Sequence, residues 1–305
     1  MNEAQTLLAI ENLMKKVIEE NYPFRDFKTD HAELMRDARA IYHSYRDYAP
    51  LIQAYFDLLP EWISRRDENI FYSHTAFEEF QFELIEIHNE FIQGFKRNNR
   101  RNQRNLVEYF SELVARHRKL LLVRVDLHYS SDKHPSMKQF DQDIKKLITR
   151  VQNKDTIFKD QVGYVYRLEQ GGKSRGYHCH LLIIYNGTLR CNDGYLGMEI
   201  GELWQEEITR GDGEFYNCNQ RKYKREYQEK GTLGIGLIPR KDQRGVENAH
   251  TVISYLAKPE KENQYLRGKL RGMREFGKGQ LKKDQRKPKN RRSQKNIDIH
   301  HLHEQ

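Results

Sequence analysis

The chain of 305 residues is 37% hydrophobic and 32% charged, enough for one large or two modest domains with their own cores. Its net charge of +9 is unevenly spread: residues 1–94 carry 9 Lys/Arg and 18 Asp/Glu, and residues 95–305 carry 44 and 26, so the later part suits a polyanion. The lack of any run of about 18 apolar residues argues against a membrane-spanning helix. The start, Met1-Asn2-Glu3-Ala4, does not read as a signal peptide. Three cysteines (Cys179, Cys191 and Cys218) without a Cys-x-x-Cys pair argue against a disulfide scaffold or zinc ribbon. The expected compartment is cytoplasmic.

In chain order, Leu7, Ile10, Met14, Val17 and Ile18 keep helical spacing up to Tyr22-Pro23. Leu34, Met35, Ala38, Ile41, Tyr42 and Tyr45 form a second apolar stripe, closed near Pro50. Leu51 to Ile63 reads as a third helix, kinked at Pro60, and Ala76 to Phe95 as a fourth. The many aromatics here read as core. These elements predict a helical bundle over residues 1–104. Its last stretch, Lys96 to Arg104, is basic, Asn-rich and without apolar residues, so it is either a linker or the exposed turn of a long helix.

From Leu106 to His117 the spacing is helical again. Leu120 to Tyr129 then reads as a strand, Met137 to Val151 as a helix, and Val162 to Leu168 and Tyr177 to Tyr185 as two strands. The segment Gln170 to Gly176 is a Gly-rich turn, so the two strands form a hairpin. Residues 195–208 predict a helix, Leu233 to Pro239 a strand, and Glu247 to Ala257 a helix. The sum over 105–277 is an α+β pattern around a largely antiparallel sheet. From Lys278 to Lys295 there are nine basic residues against one acid, Asp284, which predicts a disordered basic tail over 278–305.

Chemistry gathers at the hairpin. In a strand, His178 and His180 point to one face, and Cys179 and Leu181 to the other. The turn brings Glu169 beside the pair. Two imidazoles and one carboxylate leave open positions on a divalent ion, as hydrolysis or phosphoryl transfer requires. Taken alone, such a His pair most often binds nothing. A zinc site of His178, His180, Cys191 and Cys218 is a competing set, though its spacings match no common module. Further on, Tyr255 and Lys258 lie three residues apart and share a helical face. A tyrosine can attack a phosphodiester when a cation assists its ionisation. Taken alone, this pair is a core tyrosine and a solvated lysine. A second His-x-His, at His301 and His303, has no apolar strand around it.

In that order, Glu169, His178-Cys179-His180 and Tyr255-Leu256-Ala257-Lys258 resemble the HUH endonucleases of rolling-circle replication initiators. Leu121 to Leu127 occupies the place of that family's first motif. Leu203-Trp204 and Met273-Arg274-Glu275-Phe276-Gly277 are similar to the replication-protein-like members of filamentous phages and enterobacterial prophages. The resemblance spans about residues 115–280. It implies a central five-stranded antiparallel sheet flanked by helices. It also implies Mg²⁺ or Mn²⁺ on Glu169, His178 and His180, with Tyr255 as nucleophile and Lys258 at the scissile phosphate. The implied activity is nicking of single-stranded or hairpin origin DNA through a 5′-phosphotyrosine, with a host helicase and polymerase as further partners. Arg167, Lys173, Arg175, Arg240, Lys241, Arg271 and Arg274 are candidate phosphate contacts. A non-catalytic DNA- or RNA-binding regulator and a single-tyrosine transposase are alternative uses of the same scaffold.

Overall fold

A computed structural model describes residues 1–19, 22–59, 71, 73–171, 176–258 and 264–281. The expected tail beyond residue 281, as well as Lys173 and Arg175, lies outside the described residues.

Helix α1 (Glu3–Val17) opens with a capping box. The Asn2 side chain accepts from the Gln5 amide, and the Gln5 side chain accepts from the Asn2 amide. Its apolar stripe, Leu7, Ile10, Met14 and Val17, packs with Phe27 of α2 (Phe24–Ile41), Tyr55 and Phe56 of α3 (Pro50–Asp57), and Phe77 and Leu84 of α4 (His74–Arg116). These four helices share one core; α3 ends at Asp57, ahead of Pro60, which lies outside the described residues.

One buried side chain in this core carries a pH signature. His31 is 0% exposed, lies against the rings of Phe27 and Tyr55, and neither ring nitrogen has a partner among the described residues. Burial, with Arg39 nearby, lowers its pKa to about 4. The unfolded chain takes up this proton near pH 6.5, the folded chain only near pH 4. Stability is therefore lost as pH falls through that interval, by about 3 kcal/mol at this site. A His31→Leu variant should lose less stability between pH 7.5 and pH 4.5 than the wild type, as urea unfolding at the two pH values will show.

Of the two expectations for the basic stretch Lys96 to Arg104, the long helix holds: the stretch is the middle of a single helix. At 43 residues, α4 runs about 65 Å, from the bundle core to the sheet. Its last turns bury Leu106, Tyr109, Phe110 and Leu113 on a sheet face. The bundle is also tied to the sheet by two carboxylates of α1. Glu3 accepts from Arg46, the Met137 amide and the Tyr177 hydroxyl. Glu11, 1% exposed, accepts from Arg267 and Tyr265. A two-stranded ribbon, β1 (Arg46–Tyr48) with β7 (Gly268–Leu270), joins the same regions.

The main sheet holds β2 (Lys119–Tyr129), β3 (Gln161–Gln170), β4 (Tyr177–Asn186), β5 (Gly213–Asn217), β6 (Gly236–Pro239) and β8 (Phe276–Lys278), all antiparallel, in the order β5-β2-β4-β3-β8. It has six strands where five were expected. The extra strand arises because β2 is 11 residues long and takes two short neighbours end to end on one edge: β6 along Lys119–Leu122, and β5 along Val125–Tyr129. At the seam the buried Asn219 amide completes the ladder. Its Oδ1 accepts from the Arg124 amide at 2.8 Å, and its Nδ2 donates to the Leu122 carbonyl at 2.9 Å.

One sheet face is apolar along its length. There Leu121, Val125, Cys179, Leu181 and Ile183 pack under α5 (Met137–Asn153) and α6 (Asp193–Glu202). The other face is divided. Leu120, Leu122, Leu182 and Ile184 lie under the end of α4 and under α8 (Gln243–Tyr255). Beyond them the same alternation continues as Arg124, Asp126 and His128 on β2, His180 and His178 on β4, and Arg167 and Glu169 on β3. The polar half of this face is the candidate site. Among the described residues no helix is long and apolar enough to cross a membrane.

Candidate active site

The pairing of β3 with β4 sets the register that brings the candidate ligands together. Glu169 pairs with His178 across β3 and β4, and Arg167 with His180, so carboxylate and imidazoles emerge side by side. His178 Nε2 lies 3.4 Å and His180 Nε2 lies 3.1 Å from the same Glu169 oxygen. The ligand atoms of the three residues all lie within 4.8 Å of one another. Among the described residues, this is the one group of three such side chains that can hold a metal ion.

Asp126, unassigned by motif, completes the geometry. It lies opposite His180 across β2 and β4, and its Oδ1 is 2.8 Å from His180 Nδ1. Committing Nδ1 to a carboxylate leaves Nε2 as the ligating nitrogen and fixes the ring. Arg124 holds Asp126 in turn with a fork, Nε to Oδ1 and Nη2 to Oδ2, both at 3.2 Å. Burial alone would raise the Asp126 carboxyl, but the hydrogen bond and charge of His180, with Arg124, hold it below the ordinary carboxylate range. Burial lowers the pKa of His180, and the hydrogen bonds and charges of Asp126 and Glu169 outweigh it, for a net rise. The donor set fits a divalent cation: two imidazole nitrogens and one carboxylate, backed by an orienting carboxylate. An Asp126→Asn substitution should weaken Mn²⁺ binding about 10- to 100-fold while leaving the fold intact, measured by calorimetric titration.

Tyr255 is the last residue of α8, and its ring is 43% exposed. The chain then tightens into i→i+3 bonds. Ala257 N donates to Ser254 O at 3.0 Å and Lys258 N to Tyr255 O at 3.2 Å. Lys258 therefore sits past the helix end rather than one turn along its face. In such a turn residues i and i+3 eclipse, which keeps Lys258 Nζ 5.9 Å from the Tyr255 ring centre. Tyr255 and Arg124 line one pocket. Arg124, in the wall of that pocket, is linked through Asp126 to His180.

The other expected contacts divide. Arg167 is 3% exposed, donates to Asn99 of α4 at 3.1 Å, and has its Nε 4.0 Å from Glu169, so it lies within the site beneath α4. Arg274 is exposed and shares a groove of about 500 Å³ with Arg167, Arg101 and Lys269. Arg271 is exposed beside Ser44 and Asp47, off the site. Arg240 and Lys241 follow Pro239, which pairs with Lys119 at the far end of β2, roughly 23 Å along the strand from Asp126. The competing zinc set does not assemble. Cys191 is exposed, and the buried Cys218 has its thiol pushed up to about 12, chiefly by burial.

Comparison with family models, with curated proteins and with solved structures finds no match.

Proposed function

We propose that the chain is a metal-dependent, single-tyrosine endonuclease of the HUH type. In this reading it nicks single-stranded or hairpin DNA to start rolling-circle replication and remains joined to the 5′ phosphate. One observation carries the reading: Glu169, His178 and His180 converge on one sheet face, and Tyr255 shares a pocket with Arg124, the residue that braces the partner of His180.

Glu169, His178 and His180 would hold the ion, with Asp126 and Arg124 fixing His180. Two imidazole ligands suit Mn²⁺ better than Mg²⁺, which prefers an oxygen shell. When bound, a divalent ion supplies positive charge to a phosphate oxygen and helps orient the phosphodiester. The Tyr255 hydroxyl forms the new O–P bond, and its proton passes to solvent. The P–O3′ bond breaks, and the freed 3′ oxygen takes up a proton. Lys258, beside the ring, favours the phenolate as it develops. One phosphodiester replaces another, so the strand can be rejoined. Arg274 and the exposed basic residues of α4 supply phosphate contacts without sequence preference.

The test is incubation of the chain with random single-stranded oligonucleotides and Mn²⁺, followed by denaturing electrophoresis. A slower, DNA-linked protein band that requires Mn²⁺ is the expected result. Binding without any such band would favour a regulator on this scaffold. Efficient joining of hairpin ends would favour a transposase.

A further inference from the structure

The pocket that holds Tyr255 is larger than a nucleophile needs. It measures about 380 Å³, in the range of small-ligand pockets, and Arg124, Tyr223, Tyr227, Leu233 and Thr251 also line it. Tyr223 and Tyr227 come from α7 (Arg221–Glu229), a helix with no buried residue. Their spacing of four places both rings on one side of that helix, with centres 4.7 Å apart. Tyr216 of β5 meets the Tyr223 ring edge-on at 5.8 Å, and Tyr216 lies opposite Asp126 in the sheet register. Arg124 spends Nε and Nη2 on Asp126, while its Nη1 makes no hydrogen bond to a described residue. On the outer surface of α7, Arg221, Lys222 and Arg225 are exposed, and none has a carboxylate within salt-bridge distance among the described residues.

Aromatic walls and one guanidinium with a spare edge form a site for a flat, acceptor-bearing ring, and the exposed cations on the outer side of α7 suit the phosphates of a strand that carries it. The geometry points to a nucleobase subsite: an unpaired base of the single strand, next to the phosphate that Tyr255 attacks, stacks on Tyr223 and Tyr227, and Arg124 donates to its edge. Arg221, Lys222 and Arg225 take the flanking phosphates. The assignment rests on the nicking reading for the position of that phosphate. It adds what that reading lacks, a place where a base is held beside the scissile bond. Stacking tolerates any base, and the Arg124 hydrogen bond favours those with an acceptor at the reachable edge.

The test uses the full chain with the metal chelated, so that cleavage does not compete. A single-stranded oligonucleotide of about 12 nucleotides carrying 2-aminopurine reports affinity by anisotropy and stacking by quenching. Tyr223 also packs against the core beneath it, so Tyr227 is the first position to change. Tyr227→Leu is expected to weaken binding about 10-fold and to reduce the quenching, and Tyr223→Leu added to it to remove the quenching. Phenylalanine at both positions keeps affinity and quenching, because the rings and not the hydroxyls carry the stack. Wild-type affinity and quenching in both Tyr227→Leu and the double leucine variant would overturn the subsite, even if the wild type forms its covalent adduct with Mn²⁺. A wild type that binds and quenches yet never forms an adduct would remove the nicking reading and leave the subsite standing. Thymidine monophosphate bound as tightly as the oligonucleotide, with the same tyrosine dependence, would overturn the assignment to a strand in favour of a free nucleotide.

Discussion

Replacing Tyr255 with phenylalanine should abolish the covalent protein–DNA product while leaving the molecule folded and able to bind DNA. The change keeps the ring and removes one hydroxyl. At 43% exposure the side chain contributes little to the core, so stability should stay within about 0.5 kcal/mol of wild type. Strand cleavage should fall by at least about 10³-fold, because a nucleophile acts as a unit with its supporting groups. Tyr216, Tyr223 and Tyr227 lie near the same pocket and are the tyrosines that could substitute. The gel assay with an oligonucleotide labelled on the 3′ side of the nick separates the cases. Label that persists on the protein would assign the nucleophile to one of those three. Cleavage that persists without label would mean that water attacks.

The second large effect is loss of the cation. His180→Ala removes a candidate ligand and also takes the imidazole partner from Asp126, and His178→Ala removes a candidate ligand alone. Both should reduce Mn²⁺ binding below detection by calorimetry and remove cleavage. The apolar face that carries Cys179 and Leu181 is untouched by either change, so the metal-free chain should stay folded in both variants. The pH dependence has a defined sign. His180 has a raised pKa in the metal-free chain, so its pairing with Asp126 and Glu169 contributes stability below about pH 6.5 that is lost as pH rises through the raised value. Ion binding requires the neutral ring. Affinity should therefore weaken as pH falls through that raised value, and binding should release protons.

The centre of the site was legible because strand alternation is strict. His178 and His180 share a face by period alone, and the antiparallel pairing of β3 with β4 sets Glu169 opposite His178. Asp126 carried the same signal unread. In Arg124-Val125-Asp126-Leu127-His128 a polar residue falls at every second place of an apolar strand, which marks a polar patch on one sheet face. Other parts were hidden for physical reasons. Strand β5 is only 5 residues in a polar stretch, and β1, β7 and β8 have 3 each, too short for periodicity to register. Their pairing is set by distant partners, such as Arg167 for Phe276. The middle of α4 carries no apolar stripe because its one buried residue there, Asn99, faces the Arg167 guanidinium instead of a hydrophobic core.

The identity of the residue joined to DNA decides the mechanism most directly. The protein should be trapped with an oligonucleotide and Mn²⁺, digested with protease and nuclease, and its peptides analysed by mass spectrometry. A nucleotide 5′-phosphate on the Tyr255 hydroxyl, absent when His178 or His180 is alanine, is the predicted result. A nucleotide on any other side chain, or an adduct that forms equally well without the two histidines, would contradict it.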